Sequence, residues 1–179
     1  TPNATINSVA AVCTGASAFN MTAATAGGTW SGTGITNASN GTFNPAVSGA
    51  GSFVITYSIG GACPATDQET VTVNATPNSA ITAAGPFCVT AAATNLTAAT
   101  GGGTWSGTGI TNAASGTFNP ATAGVGSWVI TYAISGACPS SSTTTITVNS
   151  TANSSINAVT AQCLTNAPFN MSAATGGGT

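Results

Sequence analysis

The chain has 179 residues, of which 42% are hydrophobic and 1% charged, and it contains no Lys, no Arg and no His. Without Lys or Arg there is no cation to neutralise phosphates, so nucleic acids and nucleotides are poor candidates as partners. Acid–base catalysis and metal sites need His, Lys or clustered carboxylates, whereas Asp67 and Glu69 are the only acidic side chains. We therefore expect a protein that is not an enzyme and that uses no metal and no cofactor.

The low charge indicates neither a membrane segment nor a disordered chain. A spanning helix needs about 18 consecutive apolar residues, and Thr, Ser, Asn and Gly interrupt every hydrophobic stretch here. Disordered chains are poor in aromatic and β-branched residues, whereas this chain repeats Trp, Phe, Tyr, Val and Ile at regular positions. We expect no insertion into membranes. The chain starts without Met or a signal peptide, and this indicates a piece excised from a longer protein.

The sequence repeats itself with a period of 75 residues. We expect two complete domains at 1–75 and 76–150 and an incomplete third copy at 151–179, which stops before its Trp and could not close a core. The aligned positions include three sets: Cys13, Cys88 and Cys163; Cys63 and Cys138; Trp30 and Trp105.

The first predicted elements of each unit lie around its Trp. Phe19 and Met21 mark an early strand, which corresponds to Leu96 in the second copy and to Phe169 and Met171 in the third. A Gly-Gly turn then leads into the strand that carries Trp30. Residues 41–45 resemble a short edge strand that ends at Pro45, since proline cannot donate to a sheet ladder.

A hairpin completes the unit. Large residues alternate with smaller ones over residues 52–59, which is the period of a half-buried strand. Residues 70–73 form a second strand of this kind, after a turn that contains Cys63 and a proline. Six or seven short strands separated by turns predict an all-β fold: tandem immunoglobulin-like antiparallel β-sandwich domains in an extended array. The linker at residues 74–78 is short and contains Pro77, so the array should be semi-rigid.

Five cysteines without metal-binding partners indicate disulfides and an oxidising, extracellular setting. Two pairings fit the repeat. In the first, which we favour, Cys13 pairs with Cys63 and Cys88 with Cys138, and the partner of Cys163 lies outside this sequence. In the second, Cys63 pairs with Cys88 and Cys138 with Cys163, which would link each unit to the next. An immunoglobulin topology counts against the first pairing, but each complete unit carries its own pair.

Five blocks occur in the same order in both complete units: Gly-Gly-Thr-Trp-Ser-Gly-Thr-Gly-Ile, Gly-Thr-Phe-Asn-Pro-Ala, Val-Ile-Thr-Tyr, Gly-Ala-Cys-Pro and a Thr-Val-Thr-Val-type strand. This series resembles the immunoglobulin-like repeats of giant Bacteroidota cell-surface proteins, such as the SprB-like gliding adhesins that the type IX system secretes. The resemblance implies a secreted, elongated surface protein whose repeats form a stalk, with a connection to gliding motility.

Two features have both a functional and a structural interpretation. Trp30 and Trp105 could stack on a glycan, but we expect them to pack inside the sandwich. Asp67 and Glu69 correspond to Ser142 and Thr144 in the second copy, so a repeated calcium site is not expected.

The favoured function is therefore a disulfide-stabilised structural stalk in a long extracellular adhesin or filament. A surface with almost no charge cannot use self-repulsion to stay dispersed, so we expect self-association into a filament or fibre. The alternative is a module that binds glycans or another extracellular surface through Trp and Thr-rich strand faces.

Overall fold

The structure, a computed structural model, describes residues 1–152, 155–159, 161, 168 and 170–172. The chain divides into two compact units. The first comprises Thr1–Thr82, Ala98–Thr104 and Thr131–Thr143, and the second comprises Ala83–Thr97, Trp105–Ile130 and Thr144–Thr179. Within the described ranges, no helix has the length and the apolar character needed to cross a bilayer.

The first sequence repeat folds into a pair of β-sheets that enclose a hydrophobic core. One sheet has the strand order β1-β7-β6-β3 and the other has the order β2-β5-β4. The strands are β1 (Val12–Cys13), β2 (Phe19–Asn20), β3 (Thr29–Ser31), β4 (Ile35–Asn37), β5 (Thr42–Phe43), β6 (Gly51–Ile59) and β7 (Ala65–Asn74).

The second sequence repeat has the same strand order. Its sheets are β10-β13-β14-β8 and β11-β12-β9. The strands are β8 (Phe87–Cys88), β9 (Thr94–Asn95), β10 (Thr104–Gly107), β11 (Ile110–Asn112), β12 (Thr117–Phe118), β13 (Gly126–Ile134) and β14 (Ser140–Asn149). The expectation of an all-β chain with β-sandwich-like domains is thus confirmed. The bounds 1–75, 76–150 and 151–179 stay predictions.

The predicted hairpin is present and is longer than the sequence indicated. Strands β6 and β7 pair antiparallel from Gly51 opposite Val73 to Ile59 opposite Ala65. Ile55 and Tyr57 point into the core, as the alternation of large residues predicted. Strand β7 begins at Ala65, before the predicted residues 70–73. Its first half is polar and shows no hydrophobic alternation, but backbone pairing with β6 holds it in the sheet.

The prediction of a short edge strand at residues 41–45 was wrong in its position. Strand β5 lies between β2 and β4, at the centre of its sheet. Phe43, on this central strand, is fully buried. Pro45 ends the strand because it is the first residue of a four-residue helix, α1 (Pro45–Ser48). The Asn44 side chain caps this helix by accepting a hydrogen bond from the Ala46 amide at 3.0 Å.

The second repeat has the equivalent helix, α2 (Pro120–Ala123), capped by Asn119 in the same way. Neither helix was predicted, because four residues are too few to show a helical period. The Asn-Pro pair was the only available signal, since Asn favours the cap position and Pro the first helical position.

The buried phenylalanine of the central strand has an aromatic partner from a different strand in each repeat. In the first repeat, Phe19 of β2 packs on Phe43 with ring centroids 5.6 Å apart. In the second, the position of Phe19 is occupied by Thr94, and Phe87 of β8 packs on Phe118 at 5.7 Å.

The predictions for the third copy fall mostly outside the described residues. Cys163 and Phe169 are both outside the described ranges. Met171 is described and is 63% exposed.

Candidate cross-linking site

The two tryptophans that could have formed a glycan platform are buried. Trp30 and Trp105 are each 5% exposed. Trp30 on β3 lies opposite Tyr57 on β6, and the two rings pack with centroids 4.4 Å apart. Packing inside the domain, which we expected, is therefore their role in this structure. An indole this deeply buried offers no ring face on which a sugar could stack.

The glycines around these tryptophans make room for aromatic rings. A Cβ atom on Gly41 would lie 2.8 Å from the Trp30 indole, and one on Gly28 would lie 2.6 Å from the Tyr57 ring. Gly41 also has a φ of +72°, which side chains disfavour. These two glycines are thus part of the core packing.

Asp67 and Glu69 bind the backbone of the N-terminal segment. The Ile6 amide donates to Asp67 Oδ2 at 2.8 Å, and the Val9 amide donates to Glu69 Oε1 at 3.4 Å. In the second repeat, Ser142 replaces Asp67, and its hydroxyl pairs with that of Ser79 at 2.9 Å. In the described part of the chain, the side chains that could ligate a metal ion form no group of three or more.

The feature that distinguishes this protein chemically is a disulfide between Cys13 and Cys138. The S–S distance is 2.07 Å and the Cα atoms are 5.6 Å apart. Cys13 is the last residue of β1, and Cys138 lies in the loop between β13 and β14. Both cysteines belong to the first compact unit, although they come from different sequence repeats. Because 125 residues separate them in sequence, the loop-entropy estimate for this bond is about 5 kcal/mol.

Backbone pairing presents Cys13 for this bond. Strand β1 runs parallel to β7, with Cys13 opposite Asn74. The Thr14 amide donates to the Asn74 carbonyl at 2.9 Å, and the Thr76 amide donates to the Thr14 hydroxyl at 3.0 Å. The beginning of the linker is therefore tied to the end of β1. Residues 74–78 were predicted to be stiff because of Pro77, and these hydrogen bonds provide a further restraint.

The other half of the site is the loop before β14. Cys138 is 7% exposed, and its sulfur lies 3.8 Å from the Asn74 carbonyl oxygen. The Cys13 sulfur lies 3.4 Å from the carbonyl oxygen of Ala137. We call this group the cystine junction: Cys13, Thr14, Asn74, Thr76, Ala137 and Cys138.

The predicted pairing of Cys13 with Cys63 and of Cys88 with Cys138 was wrong for this structure. Cys13 lies beside Asn74, the last residue of β7, whereas Cys63 precedes the first residue of that strand. A ten-residue strand spans roughly 30 Å, and a disulfide needs Cα atoms within about 7 Å. The two cysteines of one repeat therefore lie at opposite ends of its last strand.

The second predicted pairing is also not the one found. Cys63 and Cys88 are both free thiols, and both are exposed. The observed bond follows a third rule that also fits the repeat: the first cysteine of one unit joins the second cysteine of the next. Both predicted pairings join cysteines that are neighbours along the chain, and distance along the chain says little about which strand ends meet.

In comparisons with known proteins, no family model and no curated protein sequence matches this chain.

Proposed function

We propose that this chain is a set of non-catalytic structural repeats from the stalk of a long extracellular adhesin or filament. The observation that carries the proposal is the disulfide between Cys13 of the first repeat and Cys138 of the second. A single domain would not need a covalent bond to a different repeat for its own closure. A chain that has to hold together under tension benefits from such a bond.

The strand order supports an immunoglobulin-like fold for each repeat. In that fold the third, sixth and seventh strands form one sheet, and the second, fifth and fourth are neighbours in the other. The orders β7-β6-β3 and β2-β5-β4 match this arrangement, and the second repeat gives the same match. The departure is the first strand, which pairs parallel with β7 rather than joining β2. We propose that these domains follow one another in an extended array.

The extracellular location is part of the proposal and is supported by the cystine. Disulfides persist in oxidising compartments and are rare in the cytosol. Together with the resemblance to type IX secreted repeats, this favours a secreted protein at the cell surface. A connection with gliding motility is the most specific form of the proposal, and only the resemblance supports it.

The disulfide would change how the chain bears load. When the two ends are pulled, tension passes through the sulfur–sulfur bond and bypasses the residues between Cys13 and Cys138. The 125 residues that this bond bypasses would span about 450 Å if fully extended. The oxidised stalk should therefore keep most of its folded length under force.

Single-molecule stretching of the chain between its two ends tests this property. The oxidised chain should extend by about 450 Å less than the reduced chain. A Cys13→Ser/Cys138→Ser variant should behave like the reduced chain under both conditions, while a Cys63→Ser/Cys88→Ser variant, the matched control, should behave like the parent. Equal extension of oxidised and reduced chains would count against a load-bearing stalk.

The location and the alternative function need their own measurements. Immunogold labelling of unpermeabilised source cells should decorate fibres on the outside, and label that appears only after the cells are permeabilised would refute the proposal. Glycan binding, the alternative, would show as saturable binding on a glycan array. We expect none, since Trp30 and Trp105 are buried.

A further inference from the structure

The outer face of the sheet that contains β3, β6 and β7 consists of uncharged side chains. Successive residues of these strands alternate between core positions and outward positions. The outward rows run from Ser52 opposite Thr72 to Thr29, Ser58 and Thr66, which lie side by side on the three strands. None of these outward residues is charged, and most carry a hydroxyl group. We call this surface, the outward residues of β3, β6 and β7, the hydroxyl face.

An exposed valine lies in the middle of the hydroxyl face. Val54 of β6 is opposite Thr70 of β7 and is 54% exposed. Val129 occupies the equivalent position in the second repeat and is 61% exposed. Val47 and Val125 are also exposed, but neither has a valine at the equivalent position of the other repeat. The exposed apolar position on this face is therefore the one that the repeat retains.

The two acidic side chains of the chain lie away from the hydroxyl face. Asp67 and Glu69 accept hydrogen bonds from the N-terminal segment on the other side of the sheet. Between them in sequence, Gln68 points outward, and its Nε2 donates to the Thr56 hydroxyl at 3.2 Å. The hydroxyl face is thus neutral, and another molecule can cover it without removing any charge from water.

We propose that the hydroxyl faces of two copies of this chain pack against each other and join the chains side by side. The inference rests on the proposed function, because a filament needs a surface on which its chains meet. A hydroxyl group both donates and accepts a hydrogen bond, so a surface of hydroxyls is complementary to a copy of itself. No like charges oppose each other in such a contact. Val and Thr are stiff at χ1, and their ordering costs little side-chain entropy.

The area of the hydroxyl face sets how many repeats must take part. Strands β3, β6 and β7 lie side by side, and β6 has nine residues. At about 4.8 Å between strands and about 3.3 Å per residue, the outer surface is roughly 14 Å by 30 Å, or about 430 Å². A stable interface buries about 800 Å² on each partner. One repeat therefore supplies about half of the required area, and we expect both complete repeats to contribute.

The contact uses the same surface on both partners, so it closes on itself. Such an isologous contact produces pairs rather than an endless bundle. The two sheets would lie about 10 Å apart with their outer side chains interdigitated. The inference thus specifies a stalk in which two chains run side by side.

A charge placed on the hydroxyl face tests the inference. The parent is the full chain with Cys63, Cys88 and Cys163 each changed to Ser, which prevents disulfide exchange between copies and keeps the Cys13–Cys138 bond. The test variant adds Val54→Glu and Val129→Glu to this parent. Circular dichroism checks that it folds, and sedimentation equilibrium at about 0.15 M salt, where the Debye length is about 8 Å, measures association.

The matched control adds Val47→Glu and Val125→Glu to the same parent. These valines are 62% and 58% exposed but lie outside the hydroxyl face. Test variant and control have the same net charge, so general repulsion is the same in both. We expect the parent to form dimers, the test variant to have a Kd at least about 100-fold higher because unpaired charges are buried, and the control to change by less than about 5-fold.

Opposite charges show whether like faces meet. A third variant carries Val54→Lys and Val129→Lys. We expect the Lys variant and the Glu variant to be monomeric alone and to form a dimer when they are mixed, because the two charges then pair across the contact. A mixture that associates no better than either variant alone would show that the two hydroxyl faces do not meet.

Footprinting of the parent needs no charged variant. Hydroxyl radicals oxidise exposed side chains, and mass spectrometry measures the extent at each residue. Oxidation of Val54 and Val129 should fall by more than half as the parent concentration passes through the dimer Kd, while oxidation of Val47 should not change. Equal oxidation of Val54 in monomer and dimer would overturn the inference.

The remaining outcomes separate the inference from the proposed function. A parent that dimerises as tightly as the Val54→Glu/Val129→Glu variant would overturn the inference and leave self-association standing. A parent that stays monomeric at its highest soluble concentration would overturn both, whereas the load-bearing stalk is tested independently by the stretching experiment. Glycan-array binding that this variant abolishes would assign the hydroxyl face to a saccharide and would also overturn the inference.

Discussion

The Tyr57 hydroxyl accepts a hydrogen bond from the Gly28 amide at 2.7 Å. The same hydroxyl donates to the Thr25 carbonyl at 2.8 Å, so one buried side chain holds the turn that precedes the Trp30 strand. Tyr132 makes the same two contacts, with Gly103 and Thr100, in the second repeat. This arrangement explains why the tyrosine and the second glycine of the Gly-Gly turn occur together in both complete copies.

Tyr57→Phe should therefore destabilise the first repeat. The ring would still pack on Trp30, but the Gly28 amide and the Thr25 carbonyl would lose their partner. The expected loss is about 1–3 kcal/mol of unfolding free energy, measured by chemical denaturation with circular dichroism. Ser52→Ala, an exposed change on the same strand, is the control and should shift stability by less than about 0.5 kcal/mol. Equal effects of the two changes would show that the hydroxyl is not needed.

Gly41→Ala should be costly because it combines backbone strain with a clash. The new Cβ atom would lie 2.8 Å from the Trp30 indole. Gly49→Ala is a matched control, since Gly49 has a similar φ of +75° and a Cβ atom added there would meet no other atom within 4 Å. Gly49 has a ψ of −173°, a conformation found almost only in glycine, so the control should lose about 1–3 kcal/mol. Gly41→Ala should lose about 1–3 kcal/mol more than the control. Denaturation measurements that give the same loss for both would contradict close packing at Trp30.

The exchange of aromatic positions between the repeats predicts a coupled double substitution. Phe19→Thr should lower the stability of the first repeat by about 2–3 kcal/mol, less than for a fully buried Phe. Val12→Phe places an aromatic residue where the second repeat has Phe87. The double variant should recover more than half of the loss, with a coupling energy of about 1–3 kcal/mol in a double-mutant cycle. Additive effects would mean that the two positions do not share one core site.

Asp67→Ala should loosen the N-terminal segment. The change removes the acceptor of the Ile6 amide, and the expected loss is about 1–2 kcal/mol. Asp67→Asn, the control, keeps a side-chain oxygen and should lose less. Hydrogen exchange at the Ile6 amide provides a local readout and should accelerate in Asp67→Ala. Unchanged exchange at Ile6 would show that the carboxylate does not hold this segment.

The sequence predicted the parts of the fold that depend on local alternation and on the repeat. The hairpin of β6 and β7 followed from large residues at every second position. The burial of Trp30 agrees with the expectation that it packs inside the sandwich. The central position of β5 could not be predicted, because a two-residue strand does not show which neighbours it will pair with. Its proline indicated an edge, but the proline belongs to the helix that follows.

The disulfide pairing was the least predictable feature. Register between the repeats identified two classes of cysteine, but pairing depends on which strand ends meet in three dimensions. The decisive fact is that Cys13 lies beside Asn74, at the end of β7 away from Cys63. No composition or spacing in the sequence encodes that relationship, since the parallel contact between β1 and β7 is made by two residues alone.

Non-reducing peptide mapping tests the central claim, the bond between repeats, most directly. Chymotrypsin is the suitable protease, because the chain has no Lys or Arg. Cleavage after Phe19, Tyr57 and Phe87 places Cys13, Cys63 and Cys88 on separate peptides. The peptide that follows Tyr132 contains Cys138 and Cys163. The substitution Cys163→Ser therefore leaves Cys138 as the only cysteine on that peptide. We predict that Cys13 is linked to Cys138 and that alkylation labels Cys63 and Cys88 in freshly purified monomer. A link between Cys13 and Cys63 would contradict the bond between repeats, because the disulfide would then join two cysteines of the same repeat.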